Sequence, residues 1–257
     1  MDAAAVVGVV DGLSDDARAR LGASVRRDGG VLMVAVTAEA SPFFKRALGL
    51  ESVGDDELAA VVEHYRSLGC TSFGILLNDA VEADPAVLAR HGFRRGPGSP
   101  KLWRPGGPAI HSSSLRVEVT TDGELVADLT TRGFGWGPHL REWCAAPVGQ
   151  EGWTHHVAYD GGAPVGIAST RRCGRSAWFG NGATLEQARG RGVHAALIAR
   201  RIADAADCDH LVVETGDPPN RSFRNLERLG FTQVHHRTNW LWAEPLQTGS
   251  RPGTAAT

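Results

Sequence analysis

The sequence predicts an α+β fold, with a mixed, mostly antiparallel sheet flanked by helices and divided into two related halves. Three observations predict it. Asp160-Gly161-Gly162 lies between two apolar runs and marks a hairpin. A glycine-rich turn, Arg189-Gly190-Arg191-Gly192, opens an amphipathic helix that leads into another apolar strand. Finally, a constant offset of 138 residues carries Cys70, Leu88, Arg90, Gly92 and Phe93 onto Cys208, Leu226, Arg228, Gly230 and Phe231 without a gap.

In the first half, residues 16–21 read as a short helix and the glycine-bounded run 31–36 as a buried strand. Leu58, Val61, Val62, Tyr65 and Leu68 fall at helical spacing before Gly69, so 57–68 is a helix with a stop. A strand at 73–77 follows, then a helical turn at 85–90 capped by Asp84 and ended by His91-Gly92. A further strand ends at Leu102-Trp103 and runs into Pro105-Gly-Gly-Pro108, the best linker candidate in the chain.

In the second half, 115–119 starts a strand, and 124–132 and 139–144 read as helices around a Gly/Trp-rich piece. Strands at 153–159 and 165–171 form the hairpin, and 177–184 continues the meander. The helix after the glycine turn, a strand at 210–215 and a short helix closed by Gly230-Phe231 complete it. The expected organisation is 1–108, 109–246 and a polar tail at 247–257 rich in Gly, Ser, Thr and Pro.

Composition narrows the function. With 257 residues, 42% of them hydrophobic, the chain can bury a core as one large domain or two small ones. Its 27 Lys and Arg against 29 Asp and Glu leave a net charge of -2, so no global basic field argues for nucleic acid. Four cysteines lack the spacing of a zinc or redox pair and read as reduced thiols of a cytoplasmic protein. No run approaches the roughly 20 apolar residues of a membrane span, so neither insertion nor export is expected.

Local charge points to a phosphate. A helix N-terminus presents free backbone N–H groups and a positive dipole end, and Arg189 and Arg191 add full charges there. Subtracting the repeat offset of 138 from Arg189–His194 gives Glu51, Ser52, Val53, Gly54, Asp55 and Asp56. Carboxylates at that position satisfy the dipole themselves and repel a phosphate. The first half is therefore expected to be a structural or substrate-shaping copy with no cofactor.

The run Arg189-Gly-Arg-Gly-Val-His194 followed by Ala195-Ala-Leu-Ile198 resembles motif A of the GNAT acyltransferase superfamily, and the stretch from Asn220 to Phe231 resembles its motif B. The resemblance covers the second half back to about Leu115 and the first half only as a degenerate copy. It implies an acyl-CoA, expected to be acetyl-CoA, lying in a wedge between splayed parallel strands, here 177–184 and 210–215. The backbone amides of Arg191, Gly192, Val193 and His194 would hold the pyrophosphate, with Arg189 and Gly190 also counted as cofactor-binding. The strand end Ala183, Thr184 and Leu185 would pair with the pantetheine arm, and an amide near Ala183 would polarise the thioester carbonyl. The implied reaction is direct attack by an amine on the thioester, with a small-molecule amine expected as acceptor and a peptide amine as the alternative.

Two departures stand out. His194 replaces the motif's small final residue, so its ring either points away or adds a donor to the phosphate. Leu226 stands four residues before Gly230, where many members carry the tyrosine that protonates the departing thiolate. A protein that binds acyl-CoA without chemistry is the competing reading.

Glu214, at the end of the second splayed strand, is the first candidate for the base. His155 and His156 adjoin on a strand, so only one can face the cleft, and His155 is counted with the catalytic candidates. Ser222 and Asn225 share a helical face towards the cofactor's thiol and amide groups, although Ser222 and Asn220 are also placed to cap that helix. Trp136, Trp143 and Trp153 fall in the segment that would shape the acceptor pocket and suit an apolar or ring-bearing group. The His155-His156 and His235-His236 pairs lack partners at ligand spacing, so no metal is expected. The expected state is a monomer with an internal pseudo-dimer, or a homodimer.

Overall fold

The computed structural model describes residues 2–108 and 113–244; the expected tail, 247–257, lies outside them. The fold is α+β, as expected. Eleven strands of the described residues form one sheet. In chain order the first half contains α1 (Asp2–Asp11), α2 (Asp15–Leu21), β1 (Ala23–Asp28), β2 (Val31–Val36), β3 (Arg46–Leu48), α3 (Asp55–Ser67), β4 (Ser72–Asn78), α4 (Pro85–Arg90) and β5 (Phe93–Arg104). The second contains β6 (Arg116–Thr120), α5 (Gly123–Phe134), α6 (Arg141–Ala145), β7 (Trp153–Asp160), β8 (Ala163–Cys173), β9 (Ser176–Thr184), α7 (Val193–Asp204), β10 (His210–Glu214), α8 (Arg221–Arg228) and β11 (Thr232–Ala243).

Local signals account for the boundaries. Asp84 caps α4 by accepting from the Ala86 N–H at 2.8 Å, with Pro85 at the first helical position. Gly92 and Gly230 end equivalent helices at φ of 85° and 83°, a conformation in which a β-carbon would be strained. The repeat holds through the interior: Cys70 and Cys208, Leu88 and Leu226, and Phe93 and Phe231 are all buried.

The strand order is β1-β2-β3-β4-β11-β5-β10-β9-β8-β7-β6. The last strand of each half therefore crosses into the other half's sheet: β11 pairs with β4, and β5 pairs with β10, both antiparallel. Packing explains why the exchange is stable. Trp242 of β11 stacks on Phe73 of β4 at 4.6 Å, and Tyr65 of α3 stacks on Phe73's ring at 4.7 Å. Reciprocally, Leu102 of β5 is buried among Leu211, Ile198 and Phe231 beneath α7 and α8. Each half thus borrows core residues from the other, and burying one such large side chain contributes roughly 1.5–3 kcal/mol.

Candidate active site

The site begins where two parallel strands part. β9 and β10 pair from His210–Ser176 to Val213–Phe179, after which β9 continues to Thr184. The opening coincides with a bulge: the β8 partners pass from Ile167–Ala183 to Ser169–Gly180, and Asn181 takes φ 48°. Beyond Phe179 the edge of β9 that faces β10 is unpaired, free to accept an extended ligand. Ala183 and Leu185 send their side chains into an apolar cluster with Val126 and Leu129 of α5, so they offer backbone alone. A β-carbon on Gly133 would lie 2.6 Å from that of Ala183, which is why glycine is needed where α5 crosses the strand.

At the wedge's outer end, Gly190 and Gly192 both have positive φ, 84° and 83°, and turn the chain into α7. No side chain caps that helix. Arg189 is exposed beside its first turn, while Arg191 forms an ion pair with Asp160 of β7 at 2.7 Å. A β-carbon on Gly190 would stand 3.6 Å from a guanidinium nitrogen of Arg221, a third cation at the loop. A helix end without a side-chain cap, its dipole and the arginines beside it, of which Arg191 is paired with Asp160, make this loop a candidate anion site. The equivalent end of α3 also lacks a side-chain cap, but its first turn carries Asp55, Asp56 and Glu57 where α7 has arginines beside it. Gly54 has φ -112°, Ser52 Oγ donates to Glu57 at 3.3 Å, and Asp55 binds His91 at 2.7 Å. The His91 contact holds the Asp55 carboxyl below its usual range.

A cavity of about 610 Å³ runs inward from the wedge. Glu214 and Ser222 line it, as do Asn181, His194 and Arg201. Glu214 accepts from Arg237 of β11 and lies 3.3 Å from the Lys101 ammonium of β5, so the exchanged strands hold the carboxylate in place. His194 turns inward: its Nδ1 is 3.2 Å from the Asn225 amide nitrogen and its ring lines the cavity. Burial, with Arg201 nearby, pushes His194 down to about 4, so the ring is neutral at physiological pH. With the amide nitrogen donating to Nδ1, the ring proton sits on Nε2, near Gly182. Of the two alternatives for His194, the ring points away from the cradle.

Arg201 is fully buried and donates to the Ser169 and Gly180 carbonyls at 3.2 and 3.4 Å, bracing the bulge from within. Burial lowers its proton affinity, yet a guanidinium keeps its charge at neutral pH.

Several expected residues take other places. His155 does not line the cavity; it is buried between β7 and β8 with Nδ1 2.9 Å from Ser169 Oγ, and burial lowers its pKa. His156 faces the other side of the strand, bonds Asp204 at 2.8 Å, and is pushed by burial down to about 4. Alternation along β7 sends one ring to each face; on the face of His155 it is Trp153, stacked on the His155 ring at 6.1 Å, that lines the cavity. Asn220 caps α8, accepting from the Phe223 N–H at 2.8 Å; Ser222 does not cap it and faces the cavity instead. Leu226 is fully buried beneath α8.

One pair escaped the sequence. His236 Nε2 lies 2.7 Å from Asp217, whose other oxygen accepts from the Gly98 N–H at 2.6 Å. Asp217 and Gly98 line the cavity, and the pair unites residues of β11, the β10–α8 turn and β5. No signal of spacing could have found it, because the exchange of β11 and β5 brings them together.

This architecture has solved counterparts. A GCN5-related N-acetyltransferase from Kribbella flavida superposes with a TM-score of 0.63 over 95% of this chain and 95% of its own, at 16% identity. A tandem GNAT protein from the clavulanic acid biosynthesis pathway gives 0.57 over 93% and 94%, at 15% identity. The chain has the GNAT fold. A functionally unknown conserved protein from Staphylococcus epidermidis shares it at a TM-score of 0.65 and 10% identity, covering 88% of this chain and 96% of that one. No family model matches the chain, and no curated protein does. The two-half arrangement of the GNAT fold agrees with the tandem counterpart. Among the described residues no helix is long and apolar enough to cross a membrane, and no cluster of His, Cys, Asp or Glu is fit to hold a metal.

Proposed function

We propose that the chain is an acyl-CoA-dependent N-acyltransferase that transfers acetyl from acetyl-CoA to a small-molecule amine in its second half. The observation that carries this reading is the uncapped, glycine-turned N-terminus of α7 beside the unpaired edge of β9. A β-carbon at Gly192 would meet nothing within 4 Å, so the cradle has room for a pyrophosphate. The amides of Arg191 to His194 would hold it, with Arg189, Gly190 and Arg221 alongside, and Ala183, Thr184 and Leu185 would pair with the pantetheine arm. When bound, acyl-CoA supplies an acyl group activated as a thioester for direct attack.

The protein's own groups divide the remaining work. A backbone N–H near Ala183 donates to the carbonyl oxygen as it gains charge. Glu214, braced by Arg237 and Lys101, attracts the ammonium and takes its proton. His236 and Asp217, at the same end of the cavity, pass that proton towards solvent. Ser222 stands one turn before Leu226 on α8 and supplies a hydroxyl to the departing thiolate in place of the tyrosine. Asn220 fixes the start of that helix, and Asn225 orients His194. Incubation with acetyl-CoA and a panel of amines tests the reading through amine-dependent release of free thiol. Tight acetyl-CoA binding with no release for any amine would establish the non-catalytic reading that buried Leu226 favours.

The halves 1–108 and 109–246 are proposed as the units of duplication in a monomer whose exchanged strands act as an internal pseudo-dimer. Residues 1–108 alone should then show no cooperative unfolding, because β4 loses β11; cooperative melting would refute this. The four free thiols, three of them buried, support a cytoplasmic setting.

A further inference from the structure

The cavity does not end at the wedge. Its lining passes in spatial order from β9 and β10 across β5 and β11 to β4, β3 and β2, so it extends over six strand spacings into the first half. At about 4.8 Å per spacing this is roughly 29 Å along the sheet. Acetyl transfer to a small polar amine uses only the wedge end.

The two ends differ in chemistry. The acidic side chains in the lining, Glu214 and Asp217, both stand at the wedge. Away from these carboxylates the cavity is walled by Val6 and Val9 of α1, Arg46 and Leu48 of β3 and an aromatic group drawn from both halves. In that group Trp136 stacks on Phe134 at 4.7 Å, meets Phe44 edge-on at 5.0 Å and lies 6.1 Å from Phe43. Phe43 and Phe134 are 52% and 42% exposed, an unusual state for phenylalanines that line a cavity rather than a stray surface. The Arg46 guanidinium lies over the Phe43 ring at 4.3 Å, and the ring surface that stays exposed favours an apolar ligand that would cover it.

We infer that the first half is the acceptor-binding module, and that the acceptor is a primary amine with an extended, ring-bearing apolar body lying along the cavity, amine towards Glu214 and rings against Phe43, Phe134 and Trp136. This rests on the acyltransferase reading for the role of the amine, but the binding claim stands apart from turnover. Charge sets the orientation: the wedge end holds carboxylates among its cations Arg201 and Arg237, whereas the other end holds Arg46 and no carboxylate, which disfavours an ammonium there but not an apolar body.

Calorimetry with butylamine and 4-phenylbutylamine, on protein saturated with CoA, tests the inference. The phenyl compound should bind at least tenfold more tightly, and 5-phenylvalerate, which replaces the ammonium by a carboxylate, should bind far more weakly. Phe43→Ala and Phe134→Ala should each remove most of the phenyl advantage, a loss of about tenfold, while leaving CoA affinity and melting temperature unchanged. Val234→Ala, at an exposed apolar position away from the cavity, should change nothing. Equal binding of the two amines, or variants without effect on the difference, would overturn the inference. So would decanoyl-CoA binding much more tightly than acetyl-CoA in a manner abolished by Phe43→Ala, because the rings would then serve the acyl chain. Retained phenylbutylamine binding with no thiol release would leave the acceptor module standing and remove the transfer reaction instead.

Discussion

Substitutions at Gly192 separate charge from backbone strain at the proposed cradle. Gly192 has φ 83° and ψ 0°, so any L-residue there pays about 1–2 kcal/mol for the left-handed conformation. A β-carbon meets nothing within 4 Å, so Gly192→Ala and Gly192→Glu should lose similar stability, about 2–4 °C in Tm for each kcal/mol. They should differ in ligand binding. A carboxylate about 5 Å from a bound phosphate costs about 3 kcal/mol per charge at an effective dielectric constant of about 20, or roughly a hundredfold in Kd. Gly54→Glu is the matched control. Its φ of -112° suits any residue, and its β-carbon would meet only the mobile end of Glu57, 2.5 Å away. Titration of CoA by calorimetry should show Gly192→Glu at least a hundredfold weaker, Gly192→Ala within about tenfold of the parent and Gly54→Glu unchanged. Equal losses for Gly192→Ala and Gly192→Glu, or a comparable loss for Gly54→Glu, would refute the assignment of the cradle to the second half.

Other perturbations address the chemistry and the fold. Glu214→Gln should lower kcat by about a hundredfold or more with CoA affinity intact, and an unchanged kcat would remove Glu214 as base. Asn220→Ala removes the α8 cap, so Tm should fall by the equivalent of about 1 kcal/mol; no fall in a melting scan would count against the cap. Unfolded histidine binds a proton near about 6.5, whereas folded His156 and His194 do so only near about 4. The unfolded state therefore binds more protons between these values, and stability is full above about 6.5 and lost as pH falls towards 4. For buried His156 the loss reaches about 3 kcal/mol. Denaturant titrations should show this slope and show it reduced in His156→Gln; an equal slope in the variant would place its origin elsewhere.

Much of the fold could be read where a signal was local. The helical spacing of Leu58, Val61 and Tyr65, the Asp84 cap and the Asp160–Gly162 turn each became the expected element. The repeat was legible because buried pairs such as Cys70 and Cys208 occupy equivalent core positions. Three elements were not. α1 is a run of Ala, Val and Gly without periodicity, β1 is an edge strand bearing Arg26, Arg27 and Asp28, and β3 has only three residues. The offset of 138 shows that β5 and β11 are equivalent but not which sheet each joins. That one unread feature hid the rest: the Arg237 and Lys101 bridges to Glu214, the His236–Asp217 pair and the first-half wall of the cavity all follow from strand exchange. His155 illustrates the reverse limit, since alternation places its ring on one face without telling that Trp153, not His155, reaches the cavity from that face.

A crystal structure of the protein with acetyl-CoA tests the central claim most directly. The pyrophosphate should lie on the amides of Arg191 to His194, with the thioester between β9 and β10 and its carbonyl towards the backbone near Ala183. A pyrophosphate at Glu51 to Asp56, or a thioester away from the wedge, would contradict it.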